Sequence, residues 1–303
     1  MTGISEDELV RRLTRRLPAG RRVVAGVGDD CAAVRVPGRK EIQLLKTDCI
    51  VEGVHFLREH PGAKVGWKAL CRAISDIAAC GGRPDAALIT IAAPADLAPS
   101  YLDAIYAGLR KAARTYGVSI VGGETARSPG ALFLSIALSG WVKRGRLVLR
   151  SGGRAKDALF VTGRLGGSFA SGRHLAFSPR VHEARWLVAN FDIHAMMDLS
   201  DGLGTDLPRF ANSSRKGYEV NLAAIPRHSG CTVGHAMSDG EDYELLFAIA
   251  SNDAEALTAA WRQKFPRVPL SRIGTLLSDR KLRTPLVAGY THFSDCQAVE
   301  KSD

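Results

Sequence analysis

The sequence predicts an α/β (α+β) protein made of two domains, and two observations carry this prediction. The 303 residues are roughly twice the length of a typical domain. Apolar runs of strand length alternate with segments whose apolar residues recur at helical spacing, and this alternation restarts after a basic, glycine-rich stretch at 143–156. We therefore predict an N-terminal domain at residues 1–145 and a C-terminal domain at residues 146–303.

The first half is predicted to hold a polar N-terminal helix, five strands and two further helices. The predicted strands are 23–27, 41–48, 85–93, 118–121 and 131–142. Apolar residues at helical spacing predict a helix over 64–80 that ends at Gly81. They also predict a helix over 101–116, with Ser100 as its N-cap.

The second half repeats the alternation. The predicted strands are 158–162, 194–198, 243–250 and 271–276. The predicted helices are two within 168–190, one that ends near residue 213, and one over 254–265.

Composition excludes several classes of protein. No apolar run approaches the roughly 18 residues of a membrane span, and no secretory signal is visible, so no membrane partner is expected. The six cysteines show no zinc-binding spacing, which favours reduced thiols and a cytoplasmic location. The net charge of +10 favours anionic ligands, but no nucleic-acid-binding module accompanies it, so no nucleic-acid partner is expected.

Acidic residues recur at or just after the ends of the predicted strands. These residues are Asp29, Asp30, Asp48, Glu124, Asp198 and Asp201, and Asp76 lies inside an apolar helix. Ligands bind at strand ends in α/β sheets. Carboxylates gathered there would repel one another unless cations lay between them, and hard divalent cations such as Mg²⁺ take oxygen ligands. Neighbouring glycines can supply backbone N–H groups to phosphates. The pattern therefore predicts a metal–nucleotide site.

The common nucleotide-binding and catalytic motifs are missing from the sequence. It has no P-loop, no complete dinucleotide fingerprint, no protein-kinase catalytic motifs and no nucleophile elbow. ATP would therefore have to be held through carboxylate-bound magnesium.

Seven motifs occur in an order that is specific when they are taken together. They are GVGDDCA (26–32), KTDCIVEGVHF (46–56), AISDIAACGGRP (73–84), VGGET (121–125), RSGG (150–153), DLSDGL (198–203) and DGEDYELLF (239–247). In these motifs the chain resembles the thiamine-monophosphate kinase family, within the superfamily of aminoimidazole-ribonucleotide synthetase-like ATP enzymes. The resemblance covers almost the whole chain, from about residue 23 to residue 293.

The resemblance implies a two-domain fold whose N-terminal domain binds ATP and forms a homodimer. It also implies ATP-dependent phosphorylation of thiamine monophosphate to thiamine diphosphate, the last step of thiamine diphosphate synthesis, with Mg²⁺ as cofactor. The implied magnesium ligands are Asp30, Thr47, Asp48, Asp76, Glu124, Asp198 and Asp201. The implied ATP contacts are Tyr106, Gly123, Arg150 and Ser200. The implied contacts to thiamine monophosphate are His55, Glu241 and Tyr290.

Two features depart from the family pattern. Glu124 stands where the family usually has aspartate, so the metal or the backbone there must shift. The stretch between Gly166 and Asp198 is short compared with many members, which leaves substrate selectivity less defined than ATP binding.

The expected chemistry needs no protein nucleophile. The acceptor would itself be a phosphate monoester, mostly a dianion at neutral pH, so no general base is required. Phosphoryl transfer depends on alignment and charge neutralisation, which favours direct in-line transfer with several magnesium ions. Arg150 is expected to contact phosphate through its planar guanidinium.

Two other functions remain open from the sequence. One is another ATP-using enzyme of the same superfamily, of the selenophosphate synthetase or aminoimidazole-ribonucleotide synthetase type. The other is a non-catalytic protein that binds nucleotides or polyanions, suggested by the positive charge. A polyanion-binding protein should lose affinity steeply with salt, whereas a magnesium-dependent kinase should lose activity with a chelator.

Overall fold

The structure is a computed structural model that describes residues 6–18 and 20–290. The helices, in chain order, are α1 (Glu6–Thr14), α2 (Gly62–Ala79), α3 (Pro99–Tyr116), α4 (Val181–Asn190), α5 (Leu203–Ser213), α6 (Val233–Ser238) and α7 (Ala254–Lys264). The strands are β1 (Val23–Ala25), β2 (Ala32–Arg35), β3 (Glu41–Val51), β4 (Arg83–Ala93), β5 (Ser119–Arg127), β6 (Phe133–Lys143), β7 (Ala158–Thr162), β8 (Ile193–Leu199), β9 (Gly217–Val220), β10 (Glu244–Ile249) and β11 (Leu270–Leu277).

The strands form two separate sheets, one in each half of the chain. The first has the order β1-β2-β3-β6-β4-β5, and only β4 and β5 pair in parallel. The second has the order β8-β10-β7-β11-β9 and is antiparallel throughout. The mixed α and β composition agrees with the predicted class. The mainly antiparallel pairing does not place all carboxyl ends of strands at one edge, and Asp48 and Glu124 lie inside strands rather than at their ends.

Helix α2 lies at the centre of the molecule. It packs against α3, β3 and β6 in the first half and against α4 and β8 in the second. Most of its residues are buried, because a helix that is apolar on nearly every face must be covered on nearly every face. Functional side chains on α2 are therefore held between the two halves of the chain.

Two glycines allow α2 and α3 to approach closely. A Cβ atom on Gly66 would lie 1.9 Å from the carbonyl oxygen of Ile105, and a Cβ on Gly108 would lie 1.9 Å from that of Ala63. These glycines therefore set the distance between the two helices.

The largest hydrophobic cluster includes residues from both halves of the chain. Ile74 of α2 and Leu138 of β6 belong to the same cluster as Phe160 of β7 and Trp261 of α7. A second cluster, which includes Phe210 and Leu246, is formed by the second half alone. The domain boundary at residue 145 stays a prediction.

Some local predictions differ from the structure. Helix α3 begins at Pro99 with Ala98 at its N-cap, so Ser100 is not the cap; proline suits the first helical position because it lacks the unpaired N–H. The two helices predicted within 168–190 are one 3₁₀ turn, Arg173–Leu175, and α4. The sequence reading also missed β2, β9 and α6, which span only four to six residues each.

Within residues 6–18 and 20–290, no helix combines the length and the apolar character that crossing a lipid bilayer requires.

Candidate active site

Three buried carboxylates meet at the junction of the two halves. Asp30 lies in the loop between β1 and β2, Asp76 near the end of α2, and Asp198 near the end of β8. One oxygen from each lies within 4.8 Å of the others. Oδ2 of Asp30 is buried and has no hydrogen-bond partner among the described residues. We call these three residues the acidic cluster.

Neighbouring donors offset part of the negative charge. Nζ of Lys46 lies 2.7 Å from Oδ1 of Asp76, and Nε of Arg150 donates to Oδ1 of Asp30 at 2.9 Å. The hydroxyl of Ser75 donates to Oδ2 of Asp198 at 2.6 Å. The cluster is therefore compensated by two cations, which a bound divalent ion would have to join or displace.

Burial makes the cluster costly to ionise. Burial and the nearby charge of Asp30 together raise the pKa of Asp198 to about 6, although the hydrogen bond from Ser75 opposes the shift. Burial also raises the pKa of Asp76 well above its usual range, although Lys46 opposes this. Buried carboxylates with an unpaired oxygen fit a hard divalent cation, because the ion supplies the missing positive charge and accepts oxygen ligands.

Asp48 lies beside this cluster, whereas Thr47 points away from it. Nε of Arg72 donates to Oδ2 of Asp48 at 3.2 Å, and the negative charge of Asp48 raises the pKa of Asp76. Side chains alternate along a strand, so Thr47 faces the other side of β3, where its hydroxyl lies 3.4 Å from that of Ser135. The side chain of Thr47 is thus separated from the acids.

The other two predicted metal ligands also lie outside the acidic cluster. Glu124 is exposed on the edge strand β5, and its carboxylate accepts a hydrogen bond from the backbone N–H of Thr125. Asp201 lies in the turn after β8 and forms a short ion pair with Arg209, which also contacts Asp7 of α1 at 3.1 Å.

The predicted ATP contacts are spread over several elements. Arg150 lies at the acidic cluster, as described above, and Ser200 is in the adjacent turn, where its N–H donates to Asp206. Gly123 lies on β5, where a Cβ would meet the carbonyl oxygen of Ile89 at 1.8 Å, so strand pairing alone requires glycine there. Tyr106 lies on α3 and packs against the hydrophobic core.

Two predicted substrate contacts, His55 and Glu241, belong to a second polar cluster around Lys68 of α2. Nζ of Lys68 donates to the carbonyl oxygen of His55 at 2.6 Å and to Nδ1 of His174 at 2.8 Å, and it forms a short ion pair with Glu241. The third predicted contact, Tyr290, is 38% exposed, and its N–H donates to the carbonyl oxygen of Asp201 at 2.9 Å. Tyr290 therefore adjoins the turn that carries Ser200.

The sequence reading named Arg150 but missed Lys46, Lys68, Arg72 and His174. Lys68, Arg72 and Asp76 are spaced four residues apart, so they lie along one face of α2. Charged residues at this spacing, on a helix whose other residues are mostly apolar, were a signal that could have been used. Lys46 and His174 gave no such signal, because only the tertiary fold brings them to their partners.

Comparisons with known proteins agree with this architecture. The model for the AIR synthase related protein, N-terminal domain, matches residues 28–142, and the model for the C-terminal domain matches residues 155–286. A thiamine-monophosphate kinase from Rhodopirellula baltica is 39% identical over 88% of this chain and 87% of its own length. The Escherichia coli K12 enzyme of the same name is 31% identical over 90% of this chain and 91% of its own.

Solved structures show the same fold. The structure of AaThiL complexed with AMPPCP and TMP has a TM-score of 0.81 and 29% identity, covering 95% of this chain and 97% of that one. Thiamine-monophosphate kinase from Stenotrophomonas maltophilia K279a has a TM-score of 0.73 and 27% identity, covering 94% and 96%. The hydrogenase maturation protein HypE, at 22% identity and a TM-score of 0.67, shares the fold. On its sequence and its fold, the chain belongs to the thiamine-monophosphate kinase family of AIR synthase related proteins.

Proposed function

We propose that this enzyme transfers the γ-phosphate of ATP directly to thiamine monophosphate, which yields thiamine diphosphate and ADP. The observation that carries the proposal is the acidic cluster of Asp30, Asp76 and Asp198, which is buried and holds an unpaired carboxylate oxygen. Two relatives support the proposal. One is the thiamine-monophosphate kinase that is 39% identical, and the other is the similar structure that holds an ATP analogue together with TMP.

Magnesium is the proposed cofactor. Asp30, Asp76 and Asp198 would hold it, with Asp48 beside them. The remaining predicted ligands would bind metal only after a change that brings them closer, such as ATP binding, dimerisation or a rearrangement of Arg209. These ligands are Thr47, Glu124 and Asp201. When bound, the ions would neutralise the charge of the polyphosphate and of the acceptor phosphate as they approach. The protein's carboxylates then bind and orient, and none has to carry a proton.

Arg150 and Ser200 are the proposed ATP contacts nearest to the acids. Arg150 presents its guanidinium at the acidic cluster, where it can exchange Asp30 for a phosphate in the same planar geometry. Gly123 and Tyr106 remain proposed contacts, and Gly123 stands on the exposed strand β5.

The acceptor is proposed to bind at His55, Glu241 and Tyr290. Glu241 is ionised, because burial raises its pKa but its polar neighbours, among them the cations Lys68 and Arg72, lower it more strongly, to about 2. Its carboxylate can therefore accept hydrogen bonds from a ligand at neutral pH. A phosphate monoester that attacks as a dianion needs no base, so no protein nucleophile or base is proposed.

A homodimer that forms through the first sheet is part of the proposal. The face of this sheet opposite α2 exposes apolar side chains, with Leu45, Leu88 and Val121 each 43–63% exposed. Strand β5 is almost entirely exposed along its length. A second copy on this face would cover these residues and would place Gly123 and Glu124 near the interface. A cytoplasmic location also belongs to the proposal, supported by five cysteines without disulfide bonds among the described residues.

The test is a product assay. The protein is incubated with ATP, magnesium and thiamine monophosphate, and the products are identified by mass. We expect thiamine diphosphate and ADP in equal amounts, and no product after chelation. Failure to form thiamine diphosphate, together with ATP consumption once a different acceptor is supplied, would favour another ATP-using enzyme of the superfamily. Binding of polyanions that weakens steeply with salt, with no turnover, would favour the non-catalytic alternative.

A further inference from the structure

Lys68 is a lysine that the fold encloses completely. Its side chain is 0% exposed, and lysine is almost never fully buried unless it is paired. Its ammonium has three donors, and three partners meet it: the carbonyl oxygen of His55, Nδ1 of His174 and the carboxylate of Glu241. Since an ammonium can only donate, Nδ1 of His174 accepts and carries no proton.

The three partners come from separate parts of the chain. His55 follows β3, His174 lies in the 3₁₀ turn Arg173–Leu175, and Glu241 precedes β10. Lys68 therefore joins the two halves of the molecule at this point. The Glu241 side chain is 17% exposed, whereas those of Lys68 and His174 are 0% exposed. Glu241 is thus the member of the ion pair that can reach a ligand, and Lys68 lies behind it.

The backbone at Glu241 is held in an unusual conformation. Its φ of 60° lies in the left-handed region, which a glutamate adopts only when its surroundings enforce it. Its N–H donates to the carbonyl oxygen of Ser200 at 2.7 Å, and its own carbonyl accepts from the hydroxyl of Ser168 at 2.7 Å. Backbone and side chain are both fixed, which is the arrangement expected of a carboxylate that must point in one direction.

We propose that Lys68 is a positioning residue that fixes the direction and charge of the Glu241 carboxylate for the binding of thiamine monophosphate, without touching it. The inference rests on the proposed function, because it needs Glu241 to contact the acceptor. It goes beyond that function by assigning a role to a residue that no ligand can reach.

The charges around Lys68 agree with this role. Glu241 faces Lys68 directly, and Arg72 lies one turn further along α2. The negative charge of Asp48 on β3 raises the pKa of Lys68. His174 is neutral in this position, because burial lowers its pKa and Lys68 lowers it further. Lys68 is therefore the cation in direct contact with Glu241, and removing its charge leaves that carboxylate with less compensation.

The test measures the affinity for thiamine monophosphate by calorimetry, alongside the KM values for both substrates. The variants are Lys68→Met, Glu241→Gln and the double variant. The control is Lys64→Met, one turn earlier on α2, where the lysine is exposed. We expect Lys68→Met to weaken binding of thiamine monophosphate about tenfold or more, as when a buried ion pair loses a partner. We expect the KM for ATP and the Lys64→Met control to stay within about twofold of the wild type.

Two further readouts separate positioning from mere structural support. The double variant should bind no more weakly than Glu241→Gln alone, because Lys68 acts through Glu241. Binding by Lys68→Met should also weaken towards acidic pH, where the wild type stays flat, because the carboxylate has lost the cation that keeps it ionised. Equal losses for both substrates, additive losses in the double variant or an unchanged pH profile would each overturn the proposal.

Folding does not obscure the result. If Lys68→Met alone does not fold, the double variant decides, because it removes the uncompensated carboxylate; failure of both to fold would assign Lys68 a structural role and overturn the proposal. A wild type that binds thiamine monophosphate but forms no thiamine diphosphate would refute the proposed function alone. A wild type that does not bind it would refute both.

Discussion

At the scale of single residues, the site pairs acidic side chains with a small number of partly buried cations. Lys46, Arg150 and Arg72 each contact one aspartate: Asp76, Asp30 and Asp48, respectively. An ion pair of this kind is expensive to bury and is broken at a high cost when one partner is lost. The arrangement stabilises the fold less than an apolar core would, which agrees with the proposed role of these acids in binding a metal ion.

Replacing Asp76 by asparagine should remove activity while the fold survives. Asparagine keeps the shape of the side chain but loses the charge, so the cluster loses affinity for a divalent ion. Mutating a hydrogen-bond partner of a metal ligand typically lowers metal affinity or activity about 10–100-fold. Losing the charge of a ligand itself should cost more, so we expect kcat/KM to fall at least about 100-fold. Steady-state kinetics at saturating magnesium measure this, with the exposed Asp103→Asn on α3 as control. Near-native activity of Asp76→Asn would contradict the assignment.

A second residue, Asp242, should make stability depend on pH. Burial raises its pKa to about 7, although the N–H of Gly166 donates to it at 3.1 Å and opposes the shift. Its pKa in the unfolded chain is close to the usual aspartate value of 3.8, so between these values the folded state holds a proton that the unfolded state releases. Its contribution to stability therefore falls as pH rises from about 4 to about 7.

Asp242→Asn removes this dependence and can still accept from Gly166 through its amide oxygen. We compare the difference in free energy of unfolding between the variant and the wild type at two pH values. This difference should favour the variant by on the order of 1 kcal/mol more at about pH 8 than at about pH 5. Urea unfolding without divalent cations measures the difference. The same value at both pH values would mean that Asp242 is ionised throughout.

At the scale of elements, α2 carries the site and α3 fixes its position. Lys68, Arg72 and Asp76 lie along one face of α2, and Gly66 sits where α3 crosses. Because the helices touch backbone to backbone, any change in their spacing moves all three charged side chains together.

Gly66→Ala should therefore destabilise the protein and disturb the site. A Cβ there would lie 1.9 Å from a backbone oxygen of α3, so the helices must separate. We expect a loss of about 3 kcal/mol, although alanine is the better helix former by about 1 kcal/mol. Chemical denaturation measures it, with Gly130→Ala as control, since a Cβ there meets nothing within 4 Å. An unchanged denaturation midpoint for Gly66→Ala would show that α2 and α3 can separate enough to hold a methyl group without loss of stability.

How far the sequence predicts the elements depends on their length and on their partners. The periodicity of apolar residues located α2 and α7 closely, because a long helix repeats the helical spacing several times. The strands β2 and β9 have four residues each and gave no such signal. The antiparallel sheets were not foreseen, since strand pairing depends on tertiary contacts that alternation along the chain does not encode.

The site was predicted only in part for the same reason. Proximity of Asp30, Asp76 and Asp198 followed from family motifs and from acids placed beside apolar segments, and the structure brings the three together. Glu124 and Thr47 were predicted beside them, but in the described chain one is exposed on an edge strand and the other faces the opposite side of β3. Their roles as ligands stay predictions.

At the scale of the whole molecule, the acidic cluster lies where the two halves meet, and the exposed face of the first sheet points away from α2. Asp30 belongs to the first half and Asp198 to the second, so ligand binding there would couple the halves. A second protomer on the exposed face would then bring β5, with Gly123 and Glu124, into a more enclosed setting.

Leu88→Glu should dissociate the proposed dimer. Leu88 is 48% exposed in the middle of β4, which pairs with the edge strand β5, and a carboxylate there cannot be buried without a partner. Sedimentation velocity should show dimers for the wild type and monomers for the variant, while Leu282→Glu, at a leucine that is 57% exposed elsewhere, should leave dimers intact. A wild type that sediments as a monomer at micromolar concentration would contradict the proposed interface.

The most direct test of the central claim is to see whether divalent ions occupy the acidic cluster when nucleotide is bound. Crystals grown with Mn²⁺ and a non-hydrolysable ATP analogue can be measured at the manganese absorption edge. We predict anomalous density within coordination distance of carboxylate oxygens of Asp30, Asp76 and Asp198, with the polyphosphate beside it. Nucleotide bound elsewhere, with no anomalous density between these three aspartates, would contradict it.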